Sequence, residues 1–327
     1  MNVMVTGATG LIGISLVKAL VAKGNNVHAL CRTEEKAAAI RHPRVTVFIG
    51  TLNNKEVITR AIQGCDTVYH LAAYARVWHR RRTHYYEVNV EQTEALFTIA
   101  IDSGIKRVIF VSTAGLLGPS KDIIIDESYD KTEGFFTDYE SSKYAAEEIV
   151  RMKNSTQTAI VIVNPSRLYG PGLLNESNTV TRLLIKYLTG RWHFLPGHGK
   201  NIGNYAYIHD VVEGMIMAME KGRGGERYIL GGHNLRYVDL FRKAGDVVGK
   251  QYRLFPIPLV LMRVASWIML WMAKILKTTP TITPSWVMKY NHNWPLSCKK
   301  AEEELGYKIT PFEEAVKEII SYYKLKL

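Results

Sequence analysis

The stretch "VMVTGATGLIGISL", residues 3–16, sets Gly7, Gly10 and Gly13 between a β-branched run and an apolar run with helical spacing. A chain that leaves a strand, turns on glycines and enters a helix gathers bare backbone amides and the positive end of the helix at one point. That geometry accepts a pyrophosphate without side-chain obstruction, so a dinucleotide is the expected ligand. The spacing is GxxGxxG rather than GxGxxG, which implies a longer first turn.

The same alternation continues outward from this turn. "NVMVT", "NVHAL", "RVTVFI", "DTVYHLA", "RVIFVS" and "TAIVIVN" read as six strands separated by amphipathic stretches. This rhythm builds a Rossmann-type doubly wound parallel α/β sheet. "LIGISLVKALVAKG" and "YYEVNVEQTEALFTIAIDSG" read as helices closed by Gly24 and Gly104. Beyond about residue 165 come Pro/Gly loops at "YGPG" and "LPGHGKNIG", a later strand "RYILGG" and a helical last third. The expected division is a dinucleotide-binding domain over 1–165, with segments near 203–232 returning to it. Residues 166–327 would form mainly a smaller, mostly helical substrate lobe.

With 327 residues, 47% of them hydrophobic, the chain can bury a large core. Cys31, Cys65 and Cys298 show no CxxC or Cys/His pattern, so neither a disulfide framework nor a metal site is expected. "MNVMVTGATG" has no secretory pattern, and a cytoplasmic location is expected. The net charge of +12 favours anionic company. "ARVWHRRRTH", residues 75–84, has no nucleic-acid-binding module around it, and nucleic acid is not an expected partner. That run reads as solvated surface or as a site for a substrate carboxylate or phosphate.

Where the second strand ends, an acidic side chain would bind a ribose 2′-hydroxyl, but the chain has Cys31 and then Arg32. Arg32, with Lys36 as a second cation, suits a 2′-phosphate, which favours NADP and leaves NAD open; a solvated strand end is the alternative. In "TDYESSKYAAEE", Tyr139 and Lys143 stand four apart on one helical face. Spacing alone does not single them out, because Tyr322 and Lys326 repeat it.

"TGATGLIG", "GCDTVYHLAA", "NVEQT", "VSTAGLLG", "YESSK", "NPSRLYGPG", "YAYIHDVVEG" and "AEEELGYKITPFEEAV" together resemble the extended short-chain dehydrogenase/reductase family. The likeness is greatest to dihydroflavonol-reductase-like and 3β-hydroxysteroid-dehydrogenase-like members, and it runs along nearly the whole chain. Two departures stand out: Thr51 where the family usually has an aspartate near the adenine, and Gln92 for a glycine. The resemblance implies that Tyr139 and Lys143 are the catalytic pair, Thr113 the catalytic hydroxyl and Asn89 a supporting polar residue, with a helix cap as the plainer reading of Asn89. It also implies cofactor contacts at Gly7, Thr9, Gly10, Leu11, Ile12, Gly13, Leu52, Leu71, Ala72, Ala73, Tyr139, Lys143 and Pro165. Sugar-modifying members share this fold and triad. Those that dehydrate carry an Asp-Glu pair after the catalytic threonine, where this chain has Ala114 and Gly115, and Asn164 is the dihydroflavonol-reductase-like residue before the proline. The expected reaction therefore interconverts a ketone and a secondary alcohol on a hydrophobic small molecule. A nucleotide-sugar epimerase with tightly held cofactor is the alternative, and a cofactor-sensing protein without turnover would not need the triad.

"LFPIPLVLMRVASWIMLWMAKIL", residues 254–276, is nearly all apolar. Arg263 within it and Pro256 and Pro258 at one end argue against a membrane span. A core or pocket-lining helix is expected, with a helix lying in the membrane interface as the alternative. His209 and Asp210 read as structural hydrogen-bonding groups at the lobe junction, with a substrate role as the alternative. The chain is compatible with a homodimer.

Overall fold

The computed structural model describes residues 1–121, 123–129, 131 and 134–326. Twelve strands are present among them: β1 (Asn2–Thr6), β2 (Asn26–Cys31), β3 (Val45–Ile49), β4 (Thr67–His70), β5 (Arg107–Val111), β6 (Ala159–Pro165), β7 (Arg167–Tyr169), β8 (Phe194–Pro196), β9 (Ile202–Tyr207), β10 (Arg227–Leu230), β11 (His233–Arg236) and β12 (Phe255–Ile257). Seven of them form one sheet in the order β10-β6-β5-β4-β1-β2-β3, every neighbouring pair parallel. The six strands expected before residue 165 are all there. The seventh comes from "RYILGG".

Both faces of the sheet are covered, which is why its central strands are buried at consecutive positions rather than at alternate ones. Val3, Val5, Ile109, Val111, Val161 and Val163 face one core, shared with helices Leu11–Ala22 and Ile208–Lys221. Met4, Val68, Val108, Phe110, Ile160 and Ile162 face the other, shared with helices Lys55–Ile62, Gln92–Asp102 and Asp138–Met152. A third core, with Tyr187, Phe241, Phe312 and Ile319, holds the C-terminal lobe together. Two small sheets, β11-β9-β7 and β12-β8, belong to this part of the chain.

The strand register aligns the ends of the sheet. Leu30, Thr6, His70, Phe110 and Ile162 pair side by side in one row. Arg32, Gly7, Leu71, Thr113 and Pro165 all come one to three residues past that row. They therefore emerge at the carboxyl edge, where open parallel sheets bind their ligands.

Two expectations need correction. The segment 85–104 is not one regular helix: Thr83–Tyr86 leads into a π-helical stretch, Glu87–Glu91, before the helix Gln92–Asp102. The apolar helix Leu259–Leu276 is not a core helix, since only Ser266 and Ala273 in it are buried. Most of its large side chains are exposed.

Candidate active site

The glycine turn is built for close approach. Gly7 has φ +67°, and a Cβ there would stand 2.7 Å from the Ala72 backbone nitrogen where the chain leaves β4. A Cβ on Gly13 would lie 2.1 Å from the Gly7 carbonyl oxygen. Only glycine lets the helix Leu11–Ala22 start this near the strand. The Gly10 N–H donates to the Gly7 carbonyl at 2.9 Å and the Gly10 carbonyl accepts from Ile14 at 3.0 Å, closing the turn. The first N–H groups of the helix then have no intrahelical partner. No side chain caps them and no acidic residue occupies the first turn. A diphosphate fits this cradle. The Leu11 side chain is buried in the lobe core, so its contribution to the cradle is its backbone, while Thr9 and Ile12 are half-buried beside it.

The rest of the expected cofactor wall follows the sheet edge. The Ala72 N–H donates to Thr6 Oγ1 at 3.2 Å, which fixes the Leu71–Ala73 segment against β1. Leu52 is buried just past β3, and Pro165 ends β6. Arg32 and Lys36 are exposed beyond β2 and form no ion pair among the described residues. Thr33 caps the short helix Glu34–Ala37, accepting from the Lys36 N–H at 3.4 Å.

Helix Asp138–Met152 begins with a capping arrangement. Thr137 Oγ1 accepts from the Glu140 N–H at 3.2 Å, and Glu140 reaches back to accept from the Phe136 N–H at 3.1 Å. Tyr139 is thereby held in the first turn, half-buried, with Lys143 one turn below it. Lys143 is 1% exposed. Its Nζ donates to the Val111 carbonyl at 2.8 Å and sits 4.0 Å from the centre of the Phe110 ring. The ammonium thus reaches the end of β5, two residues before Thr113.

Thr113 is half-buried, and its Oγ1 accepts from the Gly115 N–H at 3.2 Å. A Cβ on Gly115 would lie 3.4 Å from Thr113 Oγ1 and 3.1 Å from Glu140 Oε1, so the threonine and the start of the Tyr139 helix converge on Gly115. Ser112 is buried on the opposite face of the strand.

Burial sets the electrostatics. It pushes the Lys143 ammonium down to about 7, against the opposing pull of Glu147. Burial, then the Glu140 carboxylate, raises the Tyr139 phenol above its ordinary value. His70, fully buried between Thr6 Oγ1 at 2.8 Å and Thr93 Oγ1 at 3.0 Å, is lowered to about 3 by burial and by Lys143, and is neutral. Burial thus brings Lys143, on the Tyr139 helix, into the neutral range at the sheet edge, while the Tyr139 phenol stays protonated there.

Asn89 is not a helix cap. The π-helical stretch turns it fully inward, where its Oδ1 accepts from the Tyr74 N–H at 2.6 Å and its Nδ2 donates to Ser142 Oγ at 2.9 Å. Ser142 Oγ in turn donates to the Tyr139 carbonyl at 2.8 Å. Asn89 thus joins the β4 exit loop to the Tyr139 turn, a positioning role.

Several residues of the site were not singled out by sequence reasoning. Glu147 is buried, accepts from Asn164 Nδ2 at 2.8 Å and pairs with Arg227 of β10. The same Asn164 Nδ2 donates to the Thr113 carbonyl at 3.1 Å, tying β6, Thr113 and the helix together. Glu140 pairs with Lys289 of the lobe helix Pro284–Lys289, and burial lowers the Lys289 ammonium despite that partner. Lys289 lines a small cavity with Arg167, Tyr237 and Tyr290. The T-x-x-E pattern at 137–140 was the signal for Glu140; partners 80 and 149 residues away leave none.

The basic run 75–84 is a surface with defined partners. Arg82 holds Asp138 in the first turn of the Tyr139 helix at 2.6 Å, and Arg81 pairs with Glu87 at 2.7 Å. His79 and His84 pack against each other and meet the Tyr74 ring edge to face. No cluster of His, Cys, Asp and Glu suited to a metal ion occurs among the described residues. Asp210 accepts from the Thr310 N–H at 2.8 Å and from Thr310 Oγ1 at 2.6 Å, a structural tie to the C-terminal segment.

A glycine cradle at the first βα turn, with a lysine and a tyrosine on one helical face at the same sheet edge, defines a dinucleotide-dependent oxidoreductase. The chain belongs to the NAD dependent epimerase/dehydratase family, whose model matches residues 3–231, and is an NAD(P)-dependent oxidoreductase of the extended short-chain dehydrogenase/reductase type. It is 31% identical over 231 residues to a 4-hydroxy-2-methyl-3-oxo-4-farnesyl-3,4-dihydroquinoline-1-oxide ketoreductase of Stigmatella aurantiaca, covering 70% of this chain and 68% of that protein. It is 27% identical to a 3-beta-hydroxysteroid dehydrogenase of Mycolicibacterium neoaurum, covering 98% and 91% of the two chains. The structure of a UDP-glucose 4-epimerase from Thermotoga maritima, solved with UDP-glucose, superposes with a TM-score of 0.81 over 99% of both chains at 22% identity, a likeness of fold.

Proposed function

We propose that this protein is an NADP(H)-dependent oxidoreductase that interconverts a ketone and a secondary alcohol on a hydrophobic small molecule, with Tyr139 exchanging the proton. The observation that carries the reading is the placement of Lys143. Its ammonium meets the Val111 carbonyl at the end of β5, two residues before Thr113, which supports Lys143, Tyr139 and Thr113 acting together.

The nicotinamide dinucleotide, when bound, supplies the carbon that gives or takes a hydride and, in its oxidised form, a positive charge. Gly7, Gly10 and Gly13 would hold its diphosphate, Arg32 and Lys36 its 2′-phosphate, and Lys143 the ribose next to the ring. Thr113 orients the substrate oxygen through a hydrogen bond. The Tyr139 phenol, raised by burial, is protonated at neutral pH and serves as the acid for ketone reduction. In the reverse direction it must lose that proton, and nearby positive charge stabilises the phenolate. Asn89 and Ser142 fix the turn that carries the phenol, and Asn164 holds the backbone of Thr113.

The test is deuteride transfer from labelled NADPH to the carbinol carbon across a panel of steroid, flavonoid and acyl ketones. Transfer to at least one of these supports the reading. No transfer, with purified protein releasing only oxidised cofactor on denaturation, would favour the epimerase reading instead. The phosphate assignment has its own check. Arg32→Ala should weaken NADPH binding by about 10- to 100-fold while leaving NADH nearly unchanged, the scale of one charge-assisted contact.

A further inference from the structure

The active site makes no use of helix Leu259–Leu276. It is apolar enough to cross a membrane, with a mean hydropathy of 1.7, yet only 11% of that window is buried. The half-buried and buried positions Leu259, Met262, Ser266, Leu270 and Ala273 form one stripe along its whole length. Val264, Trp267, Ile268, Trp271, Ile275 and Leu276 are exposed around the rest of the circumference. Phe194 and Phe255, paired across β8 and β12, extend the apolar surface at one end, and Trp286 and Met288 of the neighbouring helix add to it. An exposed apolar surface of this size on a folded protein needs an occupant.

We propose that this helix docks the protein on an anionic lipid surface, lying flat in the membrane interface. Orientation comes from the packed stripe. Leu259 lies against Gly197 at one end and the helix packs on Pro284–Lys289, so it is laid on the body and can bury its outer side at the headgroup boundary. Charge selects the occupant. From Val247 to Ala301 there is no Asp or Glu, while Lys250, Arg253, Arg263, Lys274, Lys277, Lys289, Lys299 and Lys300 are present. Arg253, Arg263, Lys274 and Lys277 are exposed within or beside the apolar surface. Two copies meeting through this face would set like charges against each other, whereas anionic lipid neutralises them. Trp267 and Trp271, one turn apart, are suited to the headgroup level.

The experiment uses the full chain and sedimentation with vesicles of phosphatidylcholine alone or mixed with phosphatidylglycerol. Binding to the mixed vesicles should exceed binding to phosphatidylcholine by at least about tenfold, and fall as salt is raised. Trp267→Glu/Trp271→Glu should abolish it while NADPH binding persists. Should that variant fold poorly, quenching of wild-type tryptophan fluorescence by brominated lipid, reduced in Trp267→Phe/Trp271→Phe, reads the same contact. Absence of sedimentation with phosphatidylglycerol vesicles would overturn the proposal, as would equal binding to neutral vesicles. So would a wild-type dimer in light scattering that the double glutamate variant splits and vesicles do not.

Discussion

Ile162 in β6 and Ile268 in the apolar C-terminal helix are the same side chain in opposite circumstances. Ile162 is fully enclosed between the sheet and its helices, whereas Ile268 is 54% exposed. In the nucleotide-binding half, apolar sequence marks the inside of the molecule, because parallel strands covered on both faces have no solvent side. In the helix at 259–276 an even more apolar sequence lies outside. Hydropathy measures the cost of meeting water and says nothing about what replaces it, whether a protein core or a lipid surface.

Substitutions can turn that contrast into numbers. The largest effect belongs to Ile162→Ala, which leaves a cavity in a filled core and should cost about 2–5 kcal/mol of stability by denaturant titration. A loss as small as that of a surface substitution would mean the sheet core is looser than its burial indicates.

Next comes the charge placed inside the first region. Lys143 is lowered to about 7 in the folded protein, below the ordinary lysine value of about 10.4 in the unfolded chain. Between those values the unfolded chain carries the proton and the folded one has shed it, so this group makes stability rise with pH across that window. The penalty is full below pH 7. Relative to cofactor-free wild type, Lys143→Met should therefore be more stable at pH 7 and lose that advantage toward pH 10. A constant difference across the window would show that the lysine is not strained by its burial.

The smallest effect is expected at the matched position outside. Ile268→Ala should change stability in detergent-free buffer by less than about 0.5 kcal/mol, as surface substitutions do. A loss comparable to that of Ile162→Ala would mean that the helix is covered by protein in solution.

Much of the first region was legible because its causes are local. The glycine turn is written in consecutive residues and the strands in β-branched runs, while the Tyr139–Lys143 face is told apart from the equal spacing of Tyr322 and Lys326 only by the family resemblance of the motifs around it. The two small residues of the packed helical stripe, Ser266 and Ala273, were equally visible, but nothing nearby in the chain says that they face inward while Trp267 and Trp271 face out. The π-helical stretch was hidden for a similar reason. It carries Asn89 to Tyr74 and Ser142, contacts that exist only once the β4 loop and the Tyr139 helix have assembled. The pairs Glu147–Arg227 and Glu140–Lys289 join segments that the fold brings together, and apart from the T-x-x-E pattern at Glu140 their partners carry no mark in their own neighbourhoods. The division of labour at the edge of the sheet follows from these distant ties as much as from the motif residues.

In the proposed reaction the phenol of Tyr139 exchanges the proton beside a bound nicotinamide. Turnover of Tyr139→Phe on a ketone accepted by the wild type tests it most directly, with NADPH affinity measured on the same preparation. With that proton source removed, kcat should fall by about 10²- to 10⁴-fold with cofactor affinity nearly intact. Wild-type turnover in that variant would contradict it.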